Sequence, residues 1–188
     1  MPDRPLFLSR LSLPMSWEAL DHVPTAEERD SASSVNTGVI NFLLHGVDLD
    51  AAQRPSDEHL AEALLPLRLK LDLLIELVGR LTYRGMALPP IRDVELGMQR
   101  MTWHSPSPLA AGNWLRIKLY FDPTFLEPVM IYGCVASALP DREAGGCSVQ
   151  AELVETPPET EEALARLAFL AQRRQLAQRA AQPPRTIR

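Results

Sequence analysis

The most regular pattern of apolar and polar positions along the chain runs through Leu60, Leu64, Leu67, Leu71, Leu74, Val78 and Leu81. The steps between them are 4, 3, 4, 3, 4 and 3, an unbroken heptad seam, and that spacing keeps one face of a helix turned toward other helices. It predicts a helix over residues 57–83. Ser56 supplies an N-cap, and Asp57 and Glu58 occupy the first turn, where the helix dipole favours carboxylates. Tyr83-Arg-Gly85 ends the helix and Pro89-Pro90 forbids its return. Pro66 either divides the segment into two helices or kinks one, and the seam's unbroken phase favours the kink. A continuous helix of 27 residues would span about 40 Å.

With Leu60, Leu67, Leu74 and Leu81 at d positions and Leu64, Leu71 and Val78 at a positions, Ile75 and Leu77 fall at e and g. Those positions are normally charged in a two-stranded coiled coil. Apolar residues there widen the seam to a width that a third or fourth helix covers, so a trimer or tetramer is expected over a dimer. Leu65, Leu69 and Leu73 form a further row off the seam, suited to packing on the protein's own domain. The alternative is a core helix buried on all sides by its own chain.

The flanking sequence reads as strands and shorter helices. Imperfect alternation over residues 6–13 predicts a strand that stops at Pro14, with Leu11 and Leu13 facing the core and Trp17 capping it. Residues 21–34, with Pro24 and the run Ser31-Ala-Ser-Ser34, read as a loop. Val39, Ile40, Phe42, Leu43, Leu44 and Val47 suit a short helix over residues 36–48, capped by Asn36 or Thr37. After the heptad segment come strands at 91–96, 99–104, 113–121, 128–139 and 147–154. The third is the clearest: Trp114, Arg116, Lys118 and Tyr120 alternate with Leu115, Ile117, Leu119 and Phe121. A last helix follows over 159–181, with an apolar stripe of Leu164, Leu167, Phe169, Leu170 and Leu176. Short antiparallel strands joined by tight turns predict a small barrel and an α+β fold.

Charge adds one asymmetry. Residues 161–188 hold six arginines against two glutamates, +4, which leaves −9 for the rest of a chain whose total is −5. The acidic total argues against general nucleic-acid binding, whereas a basic tail suits an acidic partner, an anionic surface or the protein's own body. Cys134 and Cys147 lack metal-site or disulfide-framework spacing, so a reduced, cytoplasmic protein is expected. Arg68, Lys70, Asp72, Glu76 and Arg80 interrupt the longest apolar region, which excludes a membrane span there, and the N-terminus has no signal-peptide pattern. His22, His45, His59 and His104 show no paired metal spacing, and no nucleophile-elbow, zinc-protease or phosphate-loop motif is present. No enzyme, metal or cofactor is expected.

The β portion does resemble a known family. Asp93-Val-Glu-Leu-Gly-Met-Gln-Arg-Met-Thr-Trp103, then Trp114 to Phe121, then the strand from Pro128, look like a PilZ domain. The leucine-rich helix ahead of Leu88-Pro89-Pro90 and the basic C-terminal helix resemble the atypical, oligomer-forming branch, close to the tetrameric heptad-bearing proteins of xanthomonads. The resemblance implies one PilZ-like domain over 1–188, with a helical insertion at 36–84, an oligomerisation helix at 57–83, barrel strands at 91–155 and a C-terminal helix at 159–181. It implies a homotetrameric signalling adaptor acting on an unknown protein partner, within a family of cyclic di-GMP receptors. PilZ binders carry an RxxxR motif and a [D/N]xSxxG motif. The second falls at Glu95-Leu-Gly-Met-Gln-Arg100, where Glu95, Gly97 and Arg100 each replace the fixed residue. Gly97 lacks the hydroxyl donor, and Arg100 stands where glycine permits close approach. A literal RxxxR occurs at Arg80 and Arg84, eleven positions before Glu95, and two guanidinium groups suit a bis-phosphate ligand. Arg173, Arg174 and Arg179 form a second basic cluster. The degraded motif predicts weak cyclic di-GMP binding or none, the alternative being a receptor that uses these arginines.

Overall fold

The computed structural model describes residues 8–51, 64–67, 69–71, 73–74, 77–78, 87–122, 125–141 and 145–181. Six strands run β1 Leu8–Leu20, β2 Ile91–Gly97, β3 Arg100–Ser105, β4 Trp114–Leu119, β5 Val129–Pro140 and β6 Cys147–Leu153. They close into an antiparallel barrel in the order β1-β2-β3-β6-β5-β4. The alternation read from sequence is what turns each strand inward. Val94 and Leu96, Met101 and Trp103, Leu115, Ile117 and Leu119, and Val149 and Ala151 are buried at every second position, and together they fill the barrel.

β1 continues past Pro14, contrary to the expected stop. Leu8 to Pro14 pair with β2, and Met15 to Leu20 pair with β4. Pro14 therefore sits where the strand changes partner, a position that tolerates the missing donor. Leu11 and Leu13 face the core and Trp17 packs against it, as expected.

Helix α1, Ala26–Ala51, begins well before the expected start at residue 36, and residues 26–34 are its first turns rather than a loop. Its cap is Thr25, not Asn36 or Thr37. The Glu28 amide donates to Thr25 Oγ1 at 3.2 Å, and the Thr25 amide donates to Glu28 Oε2 at 2.8 Å, a reciprocal capping box. Helix α2, Pro158–Ala181, buries Leu167 and Ala168 and leaves Phe169 and Leu176 exposed, so two members of the predicted stripe face outward.

Both helices are stitched to the barrel by amide side chains acting as strand partners. Met130 pairs with β4, while β6 pairs with β5 only from Gly133 onward. Buried Asn36 of α1 fills that gap: its Nδ2 donates to Met130 O at 2.7 Å, and Met130 N donates to its Oδ1 at 2.8 Å. Gln175 of α2 does the same for Ser12, at 2.7 and 3.0 Å. Main-chain groups without a ladder partner need such substitutes.

Residues 64–67 are helical without a break at Pro66, as are 69–71, 73–74 and 77–78. The apolar side chains here are not covered by the chain itself. Leu64, Leu67, Leu71, Leu74 and Val78 of the seam are 50–58% exposed. Leu65, Leu69 and Leu73 are 52%, 60% and 56% exposed, which overturns the expectation that this row packs on the protein's own domain. It overturns equally the reading of a helix buried on all sides. Leu60, Ile75 and Leu81 lie outside the described residues.

Candidate functional site

The degenerate ligand motif occupies β2 and the tight connection into β3. Glu95 faces Arg10 across the β1–β2 ladder, and Arg10 Nε lies 2.8 Å from Glu95 Oε1. The acid is thus engaged by a cation on the neighbouring strand. Gly97 is paired with Leu8 in the same ladder. Arg100 is exposed and pairs along its backbone with Glu152 of β6. The positive-φ residues of the described chain are Gly112, Gly145 and Gly146, all in other turns. Arg100 therefore replaces the motif's glycine in ordinary strand geometry, without strain. Glu95, Gly97 and Arg100 thus lie along the end of β2 and the start of β3.

Beside this turn, between α1, α2 and the barrel strands, lies an open groove. Ile40, Leu96, Met98, Ile131, Leu153 and Leu164 line it together with Glu161. The lining includes no lysine or arginine. A doubly charged phosphodiester ligand needs cations, and this groove presents apolar surface, the polar side chains of Asn36, Thr156 and Thr160, and a carboxylate. Arg80 and Arg84 lie outside the described residues. On α2, Arg173 and Arg179 are exposed, as is Arg174, and the Arg173 guanidinium stands 5.9 Å over the Phe169 ring. The helix carries them on the outside of the fold, not into the groove.

Among the described residues no group of three or more histidines, cysteines or acids is arranged to hold a metal. His22 bridges Asp21 Oδ1 at 2.7 Å and Glu28 Oε2 at 3.1 Å. Those two bonds, Asp21's first, hold its pKa above the ordinary imidazole value, at a solvent-exposed helix start. His104 Nε2 meets Gly145 O at 2.7 Å, bracing β3 against the β5–β6 turn. Both cysteines are free, and no described helix is long and apolar enough to cross a membrane.

The two amide stitches at Asn36 and Gln175 were invisible as functional positions in the sequence. Their signal is a lone amide on the apolar stripe of a helix, which names a buried backbone partner only once the strand order is known.

A crystal structure of a tetrameric PilZ domain from Xanthomonas campestris, a pathogenic protein self-assembled via a helical bundle, matches with a TM-score of 0.73 at 19% identity, covering 92% of each chain. An inhibitor of motility from Bacillus subtilis matches at a TM-score of 0.36 and 15% identity, over 46% of this chain and 42% of that one. No curated protein matches. The family model of the atypical PilZ domain, described as a cyclic di-GMP receptor, matches residues 43–181. With a closed antiparallel barrel, two covering helices and a family match over most of its length, this chain belongs to the atypical PilZ domain family.

Proposed function

We propose that this chain is a non-enzymatic cytoplasmic adaptor that assembles as a homotetramer through its heptad helix and acts on a protein partner, without depending on cyclic di-GMP. The observation that carries this reading is the exposure of the seam, 50–58% for Leu64, Leu67, Leu71, Leu74 and Val78 in the single chain. Five large aliphatic side chains in one register exceed what a soluble monomer leaves in water, and burying each is worth about 1.5–3 kcal/mol. The self-assembled tetramer of the Xanthomonas campestris structure supports the same mode here. The motif chemistry supports ligand independence: Glu95 is held by Arg10, and the adjoining groove is mostly apolar and carries Glu161. The domain partition we propose keeps one domain over 1–188, with the oligomerisation helix at 57–83 inserted before the strands of 91–155. A concentration series in the analytical ultracentrifuge tests the assembly. We expect a mass near four times 20.9 kDa that persists on dilution, and a single species of monomer mass would overturn the proposal.

The second reading is a cyclic di-GMP receptor using Arg80 and Arg84. The family description favours it, since the matched model is that of a cyclic di-GMP receptor.

A further inference from the structure

Helix α2 carries two sets of apolar residues, and the fold uses one of them. Leu167 and Ala168 are buried, and Leu164 and Ala171 pack against the core beside them. A helix lying on a barrel needs only that stripe. Phe169 and Leu176 fall outside it and are 45% and 56% exposed. The helical period places them roughly a third of a turn around from the inward stripe. Arg173 lies between them on the same face, and its guanidinium stands 5.9 Å over the Phe169 ring. Arg179 follows one turn after Leu176. Every position from Leu176 to Ala180 is exposed, so the described chain leaves the last turn of α2 open on all sides.

The charge of this face is not neutralised from within. Among the described residues no carboxylate pairs with Arg173 or Arg179. Arg166 and Arg174 already have partners, so Arg173 and Arg179 supply the charge. Glu162, two turns before Phe169 and also exposed, bounds the basic surface at its N-terminal end. The stretch from Phe169 to Arg179 is about 15 Å long.

We infer that the outer face of α2, formed by Phe169, Arg173, Leu176 and Arg179, docks an acidic amphipathic helix of a protein partner. Two apolar residues seven positions apart suit the apolar row of a facing helix. The two guanidinium groups suit carboxylates flanking that row. Glu162 repels such a partner at one end, which confines it to the last three turns. A membrane is the poorer match, because two apolar side chains offer little to insert. The chain outside residues 161–188 also carries −9, that is −5 less +4, and an anionic bilayer repels it. The inference names a docking face for the protein partner of the adaptor reading and rests on that reading.

The test uses the full chain and a synthetic peptide of about 14 residues, with leucine at heptad a and d positions, glutamate at e and g, and alanine elsewhere. Anisotropy of the labelled peptide reads binding, and light scattering records the mass of the chain in parallel. We expect saturable binding that weakens as salt is raised. Arg173→Glu with Arg179→Glu should weaken it at least about tenfold, and Phe169→Ser with Leu176→Ser by a similar factor. These side chains are all exposed, so both variants should keep the circular dichroism of the wild type. Equal binding of a peptide with scrambled leucines, or binding that both variants retain, would overturn the inference. Binding to vesicles of phosphatidylserine and phosphatidylcholine but not to the peptide would overturn it in favour of a membrane. A lower mass for the Phe169→Ser, Leu176→Ser variant would overturn it in favour of a second copy of this chain. A tetramer that ignores the peptide overturns the docking face and leaves the assembly standing, and a monomer that binds it does the reverse.

Discussion

Asn36 holds more of the architecture than its mid-helix place suggests. Its two hydrogen bonds to Met130, at 2.7 and 2.8 Å, satisfy a strand segment that β6 does not reach. Asn36→Asp keeps the shape and loses the donor, leaving Met130 O facing a carboxylate in a buried site. We expect a loss of about 1–3 kcal/mol, read as a lowered denaturation midpoint at unchanged slope. Gln175→Ala should cost less, because Gln175 is only partly buried whereas Asn36 is buried. His22 offers a cleaner electrostatic test. Its hydrogen bonds to Asp21 and then Glu28 raise its pKa, so an NMR titration should place its midpoint above the ordinary value of about 6.5. A raised folded-state pKa contributes stability that is fully present below the unfolded value and is lost as pH rises through the folded one. Asp21→Asn removes the larger cause while leaving the capping box intact, and should move the midpoint down.

At the scale of elements, the strands were legible because barrel strands bury one side. Leu115, Ile117 and Leu119 alternate with polar neighbours, and the observed β4 falls within one or two residues of its predicted bounds. Helix α1 was legible only in its second half. Its inward positions run Ala32, Asn36, Val39, Ile40 and Leu43, a helical spacing whose first two members are a small residue and an amide. A search for apolar periodicity passes over them, and the serines around them read as loop. The capping box at Thr25 and Glu28 was the signal that marked the true start. The β5–β6 turn supplies the prediction at this scale. Gly146 has φ of +86°, and a Cβ there would collide with the Ser105 carbonyl oxygen. Gly146→Ala should cost about 2 kcal/mol or more, read in thermal unfolding, whereas Gly112→Ala, with φ of +87° but open space around it, should cost less.

For the whole molecule, two surfaces bear on ligand binding and assembly. The barrel near α1 and α2 carries a ligand motif whose three fixed residues are replaced and a groove without cations. The heptad segment carries a long row of uncovered leucines. Calorimetric titration with cyclic di-GMP should show no heat of binding in the micromolar range, and tight binding abolished by Arg80→Ala with Arg84→Ala would transfer the function to the ligand. The leucines make the stronger claim. Replacing Leu71 and Leu74 by Asp puts charges into a seam that assembly must dehydrate, yet both side chains are already more than half exposed in the single chain. The double variant should therefore lose its assembly and keep its barrel. Light scattering coupled to size exclusion, with near-ultraviolet circular dichroism on the eluted peak, measures both at once. We expect a fall from near fourfold mass to 20.9 kDa with the tryptophan signature of the barrel retained; a variant that stays tetrameric, or a wild type that is already monomeric, would contradict assembly through the heptad seam.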